Sequence, residues 1–432
     1  MKYFIIAIVA LGIVVGLLQI DDRLDTTAQQ WAALSNANVG QDSEAYYFLM
    51  GIDAVEGAEP IAIGRSRVVL FRDAETRSKG DPEDFSESSY PPKDRLDLPE
   101  GDVYCHNSES GCINRLRNNS AKLADELKQH RTLVNRYKKL FSYHDYKSLI
   151  PPSVTEIIAD FQYLTKANKL SQFSVLQAIA AGNQETAASV LSNDINTLKK
   201  QLELADSLIY KMVIVAMLAD DIDLLVDMYN QGALKQAVAI APLTQDQRSL
   251  YKPMIREFGM MVNTYRDLDK NPEFFAKGGH AIPWLVRALF KPNMSINDAF
   301  PPYFRIYELS LKPAEEFEQA VKSNPNPEEY KRDGISIRNL IGSVLNNVAG
   351  PDLKKYLARL HDLDCKIKLL NIRTLISKDQ KVSEETFAKL NADLANPYFP
   401  QQKPYIDKDS QKLCYSGPYE DLQEIRCIAI GE

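Results

Sequence analysis

The feature that most constrains this chain lies at its start. From Tyr3 to Leu18 no charged or strongly polar side chain interrupts an apolar run, which Gln19 and Ile20 extend. The 18 residues from Tyr3 to Ile20 form a helix of roughly 27 Å at the usual rise per residue, near the lower limit for crossing a bilayer core. The run therefore reads as a transmembrane signal-anchor. A cleaved signal peptide is the competing reading, because a short positive start before an apolar stretch fits that as well. The run is longer than an ordinary signal h-region, and Asp21, Asp22, Arg23 and Asp25 follow it directly with no small-x-small cleavage pattern. Lys2 and the α-amino group precede the run and three aspartates follow it, so the positive-inside tendency places the N-terminus in the cytoplasm. In a Gram-negative bacterium the remaining chain is then periplasmic, held by one pass of the inner membrane.

The rest of the chain is long and apolar enough to fold around a substantial core, with 432 residues, 45% of them hydrophobic and 25% charged. Its 51 basic and 58 acidic residues leave a net charge of −7. No broad basic face for a phosphate backbone is available, and nucleic acid is not expected as a partner.

The five cysteines bear on the compartment. Cys105 and Cys112 enclose six residues of a polar loop, and Cys414 and Cys427 flank Gly417-Pro418 near the C-terminus. Two local pairs with Cys365 left over suit an oxidising compartment. The alternative is five unrelated small hydrophobes in a reducing one, and spacing alone does not fix connectivity.

Periodicity beyond the anchor is mainly helical. Helices are expected around Trp31, after a cap at Asp42 or Ser43, and from Ile113 to Leu140. Arg67 to Phe71 reads as a short strand and Asp73 to Val103 as a long exposed loop. Ser153 is the expected cap of a helix carrying Ile157, Ile158 and Phe161, and Leu191, Ile195, Leu198 and Leu202 mark one face of another. One helix is expected to start at Thr244 or Asp246 and run through Leu250, Met254, Phe258 and Met261, followed by a Gly- and Pro-rich interval from Lys277 to Pro302. The most regular stripe is Ile337, Leu340, Ile341, Val344, Leu345 and Val348, which marks the clearest helix. Two stripes on the segment from Leu353 to Ile372 predict a central helix. No fixed repeat period of a solenoid is found. The expected architecture is mainly α, with a transmembrane helix at 1–20, juxtamembrane helices and a polar loop at 21–104, an irregular helical-hairpin domain at 105–395, and a small β-containing cap at 396–432.

Chemistry-bearing motifs are sparse. Cys105, His106 and Cys112 carry thiolate and imidazole donors but lack a second pair to complete a zinc site. His361 and Cys365 share a helix face at i and i+4 without a third ligand. Ser249 and Lys252 form a bare Ser-x-x-Lys without its companion motifs, and Tyr143-His144-Asp145-Tyr146 reads as a helix-terminal surface patch. Asp220, Asp221, Asp223 and Asp227 read as a solvated acidic cap at a helix junction. Neither phosphate-binding glycine motif is present, so no nucleotide is expected. No catalytic residue, cofactor or metal ligand is assigned.

Several strings are similar to those of a group of uncharacterised single-pass, membrane-anchored helical envelope proteins of Gram-negative bacteria. They are Ala45-Tyr46-Tyr47-Phe48-Leu49-Met50-Gly51 with Gly64-Arg65, the Cys105/Cys112 loop before a helix, and Arg287-Ala288-Leu289-Phe290-Lys291-Pro292-Asn293. The resemblance implies a helical extracytoplasmic body and supplies no activity or site residues. The expected function is interaction with a protein partner, or scaffolding, at the membrane. The alternatives are a periplasmic hydrolase with dispersed catalytic residues, and an envelope accessory, chaperone or toxin-neutralising factor. A hydrolase should bring ionisable side chains from different helices into a deep polar pocket. A binding protein should expose an apolar groove or patch.

Overall fold

The computed structural model describes residues 3, 6, 16, 19–78, 94–234, 238–271, 283–323, 336–348, 352–377, 380, 382–390 and 392–430. Most of the apolar run read as the anchor lies outside these residues. No described helix is long and apolar enough to cross a membrane. Among the described residues the chain is mainly helical, with a small three-stranded antiparallel sheet at the C-terminal end.

The first helices are α1 (Thr26–Leu34), α2 (Glu44–Met50) and α3 (Pro60–Ser78). Ser43 caps α2 by accepting a hydrogen bond from the Tyr46 amide at 3.1 Å. The Asp145 carboxylate covers the two amides before it, Glu44 and Ala45, at 2.7 and 3.2 Å. Asp145 thus serves a helix start, and the surface patch expected around it is in fact a capping device. The segment Arg67 to Phe71, read as a strand from its paired valines, lies inside α3. Val68 and Phe71 point into the core at helical spacing while Val69 and Leu70 face outward. Helices α2 and α3 cross at two glycines, and a Cβ on Gly64 would stand 1.8 Å from the Tyr47 carbonyl oxygen. At this crossing side chains give way to backbone. The loop expected at Asp73 to Val103 begins later than its first residues, since α3 runs to Ser78, and 79–93 lie outside the described residues.

Next come α4 (Cys112–Asn118), α5 (Ser120–Gln129), α6 (Arg131–Leu140), α7 (Phe161–Ala180), α8 (Gln184–Leu204) and α9 (Leu208–Asn230). Helix α7 starts at Asp160, whose carboxylate accepts from the Gln162 amide, rather than at Ser153. Ser153 instead closes a local turn with Thr155. Pro151 and Pro152 keep the intervening chain extended. Leu191, Ile195, Leu198 and Leu202 of α8 are buried together, as the spacing predicts.

Then follow α10 (Gln245–Arg248), α11 (Tyr251–Lys270), α12 (Pro283–Leu289), α13 (Pro292–Ser310), α14 (Ala314–Ser323), α15 (Leu340–Val348), α16 (Leu353–Thr374) and α17 (Glu384–Lys389). Thr244 and Gln247 form a reciprocal capping box around α10. Helix α13 runs straight through Pro301 and Pro302, within the interval read as a string of breakers. An aromatic cluster holds it there. Trp31 of α1 meets Phe300, Phe304 and Tyr307 of α13 and Tyr251 of α11 at ring-centroid distances of 5.3 to 5.9 Å.

Helices α9 and α16 pack against each other in the centre and are buried on more than one side, as the double stripe of α16 predicts. The strands β1 (Tyr405–Asp407), β2 (Lys412–Cys414) and β3 (Cys427–Ala429) close the C-terminal end in the order β1-β2-β3. Cys414 and Cys427 are cross-strand partners and are joined by a disulfide, with Cα atoms 4.2 Å apart. A second disulfide joins Cys105 to Cys112, and Cys365 is free and buried. One apolar core extends from Ala28 in α1 to Ile428 in β3.

The most regular apolar stripe is only partly covered. Ile337 is 79% exposed, and Leu340 and Val344 are exposed as well, whereas Ile341 and Leu345 are only half-buried. Periodicity identified the helix of α15 correctly, but the body leaves one half of its apolar stripe uncovered.

Candidate functional site

Among the described residues two places are considered as candidate sites, one bearing ionisable side chains and one apolar. The first is a cleft of about 230 Å³ between α9, α16, the Cys105–Cys112 loop and a 3₁₀ turn at Glu420–Arg426. Asp220 and Asp223 of α9, Arg359 and Lys366 of α16, His106 and Glu424 line it beside an apolar wall that includes Met212, Val215 and Ala219 of α9. Elements far apart in sequence therefore bring acids and bases together.

Each carboxylate in the cleft is already engaged. Asp220 accepts from the Asn107 amide at 2.7 Å, from Lys169 at 3.2 Å and from Gln172 at 3.1 Å. Lys169 also donates to the Asn107 side chain at 2.6 Å. Asp223 pairs with Lys366, and Glu424 accepts from Lys412 at 2.6 Å. Lys412 in turn reaches the Ser108 carbonyl at 3.1 Å, so the C-terminal cap is tied to the first disulfide loop. Behind the cleft the wholly buried Asp221 accepts from Asn168 and from Gln172. Burial pushes the Asp221 carboxyl well above the usual carboxylate range, and the neighbouring Asp194 adds to the shift. Burial also lowers Lys169, against the opposing pull of Asp220.

These contacts correct the expected acidic cap. Asp220, Asp221, Asp223 and Asp227 lie in the interior of the long helix α9 rather than at its start. Asp227 pairs with Arg117 of α4. Each carboxylate is met by a partner from another segment, and those partners are 48 to 143 residues away in sequence. No local pattern signals such a partner. Chemically the arrangement is a joint, in which ion pairs and amides fix four segments in one geometry. Its volume falls below the roughly 300 Å³ at which small-molecule pockets begin.

The other chemistry-bearing strings are placed as structural parts. The Cys105/His106/Cys112 donors are separated by the disulfide, which consumes both thiols. His361 is buried and stacks on Phe317 at 5.2 Å. Burial, assisted by Arg248, pushes its imidazole down to about 3. Ser249 accepts from the Tyr251 amide and Lys252 donates to the Glu203 carbonyl, so the two side chains serve different neighbours. Arg136 of α6 is buried and donates to the carbonyls of Ile52, Ala54, Val55 and Ala58. Among the described residues no group of three or more His, Cys, Asp or Glu is disposed to hold a metal ion.

The apolar place is a groove of about 760 Å³ along the outer face of α13. Phe300, Pro301, Phe304 and Leu309 form its apolar lining among the described residues, and Arg305, Glu308 and Lys312 carry charge along it. Phe300 is buried against Trp31, so the aromatic cluster packed on α13 also backs the groove. Sequence reading missed this surface because Pro301 and Pro302 concealed the helix that presents it. Comparison of the chain with known protein families, with curated proteins and with solved structures finds no match.

Proposed function

We propose that this chain is a membrane-anchored periplasmic protein-interaction or scaffolding protein. Residues 3–20 span the bacterial inner membrane once, with the N-terminus cytoplasmic and the helical body outside. The two disulfides fit the oxidising compartment that this orientation requires. The groove on α13 is the observation that carries the interaction reading, because an apolar surface with charges beside it suits an apolar helix or strand of a partner protein. Among the described residues the cleft beside Asp220 gathers the ionisable groups a hydrolase would use, and its carboxylates are held in pairs between segments.

The test is site-specific photocross-linking from position 308 in native membranes, read by mass spectrometry. One discrete adduct is expected, and Phe304→Glu should abolish it. Absence of an adduct, or an adduct indifferent to Phe304→Glu, removes the groove as the partner site.

A further inference from the structure

The uncovered half of the α15 stripe stands at one corner of the molecule. Helix α12 packs against α15 and against the 3₁₀ turn Ile337–Asn339. That corner exposes Trp284 and Leu285 from α12, and Ile337, Leu340 and Val344 from the turn and α15. Trp284 is 70% exposed. Large apolar side chains grouped in this way on neighbouring elements are uncommon on a surface that meets only water.

The same corner receives the end of the N-terminal apolar run. The Ile20 carbonyl accepts from Arg338 at 2.7 Å, and Arg338 also reaches the Asp22 carboxylate at 3.1 Å. Lys291, at the junction of α12 and α13, donates to the Ala288 carbonyl and reaches the Gln19 side chain at 3.5 Å. The Asp21 carboxylate accepts from the amides of Asn293 and Met294 at 2.9 and 3.2 Å, which caps the start of α13 from the far end of the chain. Asn297 holds the next turn through the Arg23 carbonyl and the Asp25 amide. Residues 19–25 are thus bound down on the body at the patch, and no long linker separates the apolar run from it.

We propose that Trp284, Leu285, Ile337, Leu340 and Val344 insert into the interfacial layer of the phospholipid bilayer that residues 3–20 enter. The inference rests on the reading of those residues as a membrane anchor. An indole at the headgroup level, aliphatic side chains beside it and the exposed cation Arg287 nearby match the chemistry of that layer. The short attachment fixes which face meets the lipid.

The chain's two tryptophans make the test direct. Trp31 is buried at 4% exposure, so a Trp284→Phe variant supplies its emission as background. The full chain is reconstituted in phosphatidylethanolamine and phosphatidylglycerol vesicles, with and without lipids brominated shallowly in one acyl chain. The expected result is flotation with the vesicles, quenching of Trp284 by the brominated lipid, and loss of its accessibility to acrylamide. Ile337→Asp combined with Leu340→Asp, both at exposed positions, should restore acrylamide access while flotation persists.

Flotation with Trp284 still open to acrylamide overturns the patch and leaves the anchor standing. Shielding from acrylamide without quenching by brominated lipid overturns it too, because a protein surface then covers the tryptophan. Failure to float removes the anchor reading, and the proposal with it.

Discussion

Asp362 of α16 and Arg426 of the C-terminal 3₁₀ turn form an ion pair in the interior, with 3.1 Å between Oδ2 and Nη1 and side chains 0% and 2% exposed. Tyr398 donates to the other oxygen of Asp362 at 2.7 Å, and Arg426 donates to the carbonyls of Tyr415 and Tyr419. The pair fastens the small sheet to the central helix. Burial nevertheless outweighs the guanidinium and pushes the Asp362 carboxyl up to about 6.

Removing one partner should therefore cost more than removing both. Arg426→Met strands a buried carboxylate, and a loss of about 3 to 5 kcal/mol is expected from urea unfolding of the cap. Adding Asp362→Leu should recover part of that loss. A double variant as unstable as the sum of its parts contradicts the pairing.

The neighbouring residue gives a pH dependence of opposite sign. His361 has a folded-state pKa of about 3 against an ordinary 6.5, so its contribution is present above pH 6.5 and fades as pH falls toward about 3. Asp362, raised from 3.8 to about 6, contributes below 3.8 and loses that contribution as pH rises through about 6. With His361→Leu, the stability difference between variant and parent should shift in the variant's favour as pH falls below 6.5. A slope of about 1.4 kcal/mol per pH unit is the upper limit for one proton. Urea titrations from pH 7 to pH 4 measure it, and a flat difference rules the assignment out.

Gly64→Ala should be among the most damaging single-carbon changes in the chain. The added Cβ meets the backbone of α2 rather than a side chain that can rotate away. A cost of about 1 to 3 kcal/mol follows from overpacking of this kind. Thermal unfolding should show it, whereas Ala62→Gly on the exposed side of α3 should cost about 1 kcal/mol through helix propensity alone.

The disulfide between Cys414 and Cys427 closes a separation of 13 residues. Replacing both cysteines by alanine should destabilise the cap by about 3 kcal/mol in the chain-entropy account. Hydrogen exchange should then quicken in β2 and β3 and around Ser108, which Lys412 contacts, more than in α8. Uniform exchange across the molecule contradicts a local staple.

Helices with a single apolar stripe and a nearby cap were legible before any coordinates. Leu191 to Leu202, Ser43 with Tyr46, and Thr244 with Gln247 are examples, because spacing and capping are local properties. A small β-containing cap was legible at the C-terminal end, around the two strands joined by Cys414 and Cys427, whereas β1 (Tyr405–Asp407) was not. What stayed hidden depends on distant partners. Val68 and Val69 favour a strand until Gly51 and Gly64 bring two helices into backbone contact. Pro301 and Pro302 break a helix until Trp31 clamps the rings on either side. The aspartates of α9 look solvated until Asn107, Lys169 and Lys366 arrive from elsewhere. At Ile337 and Val344 the pattern revealed the helix, but what covers a stripe is a property of the assembled molecule.

The capping of α13 by Asp21 also bears on the order in which the chain assembles. The carboxylate precedes its two amide donors by 272 and 273 residues, and Lys412 lies 304 residues beyond the Ser108 carbonyl it contacts. A polypeptide made from its N-terminus exposes Asp21 early in synthesis and must wait for most of its length before that helix exists. Closing loops of this size carries a large entropic cost and slows folding. Local helical pairs such as α7 with α8 need no such loop, and they are expected to form before it closes. The corner that joins residues 19–25 to the body is then expected to close among the last contacts, as the seal on a structure otherwise already built.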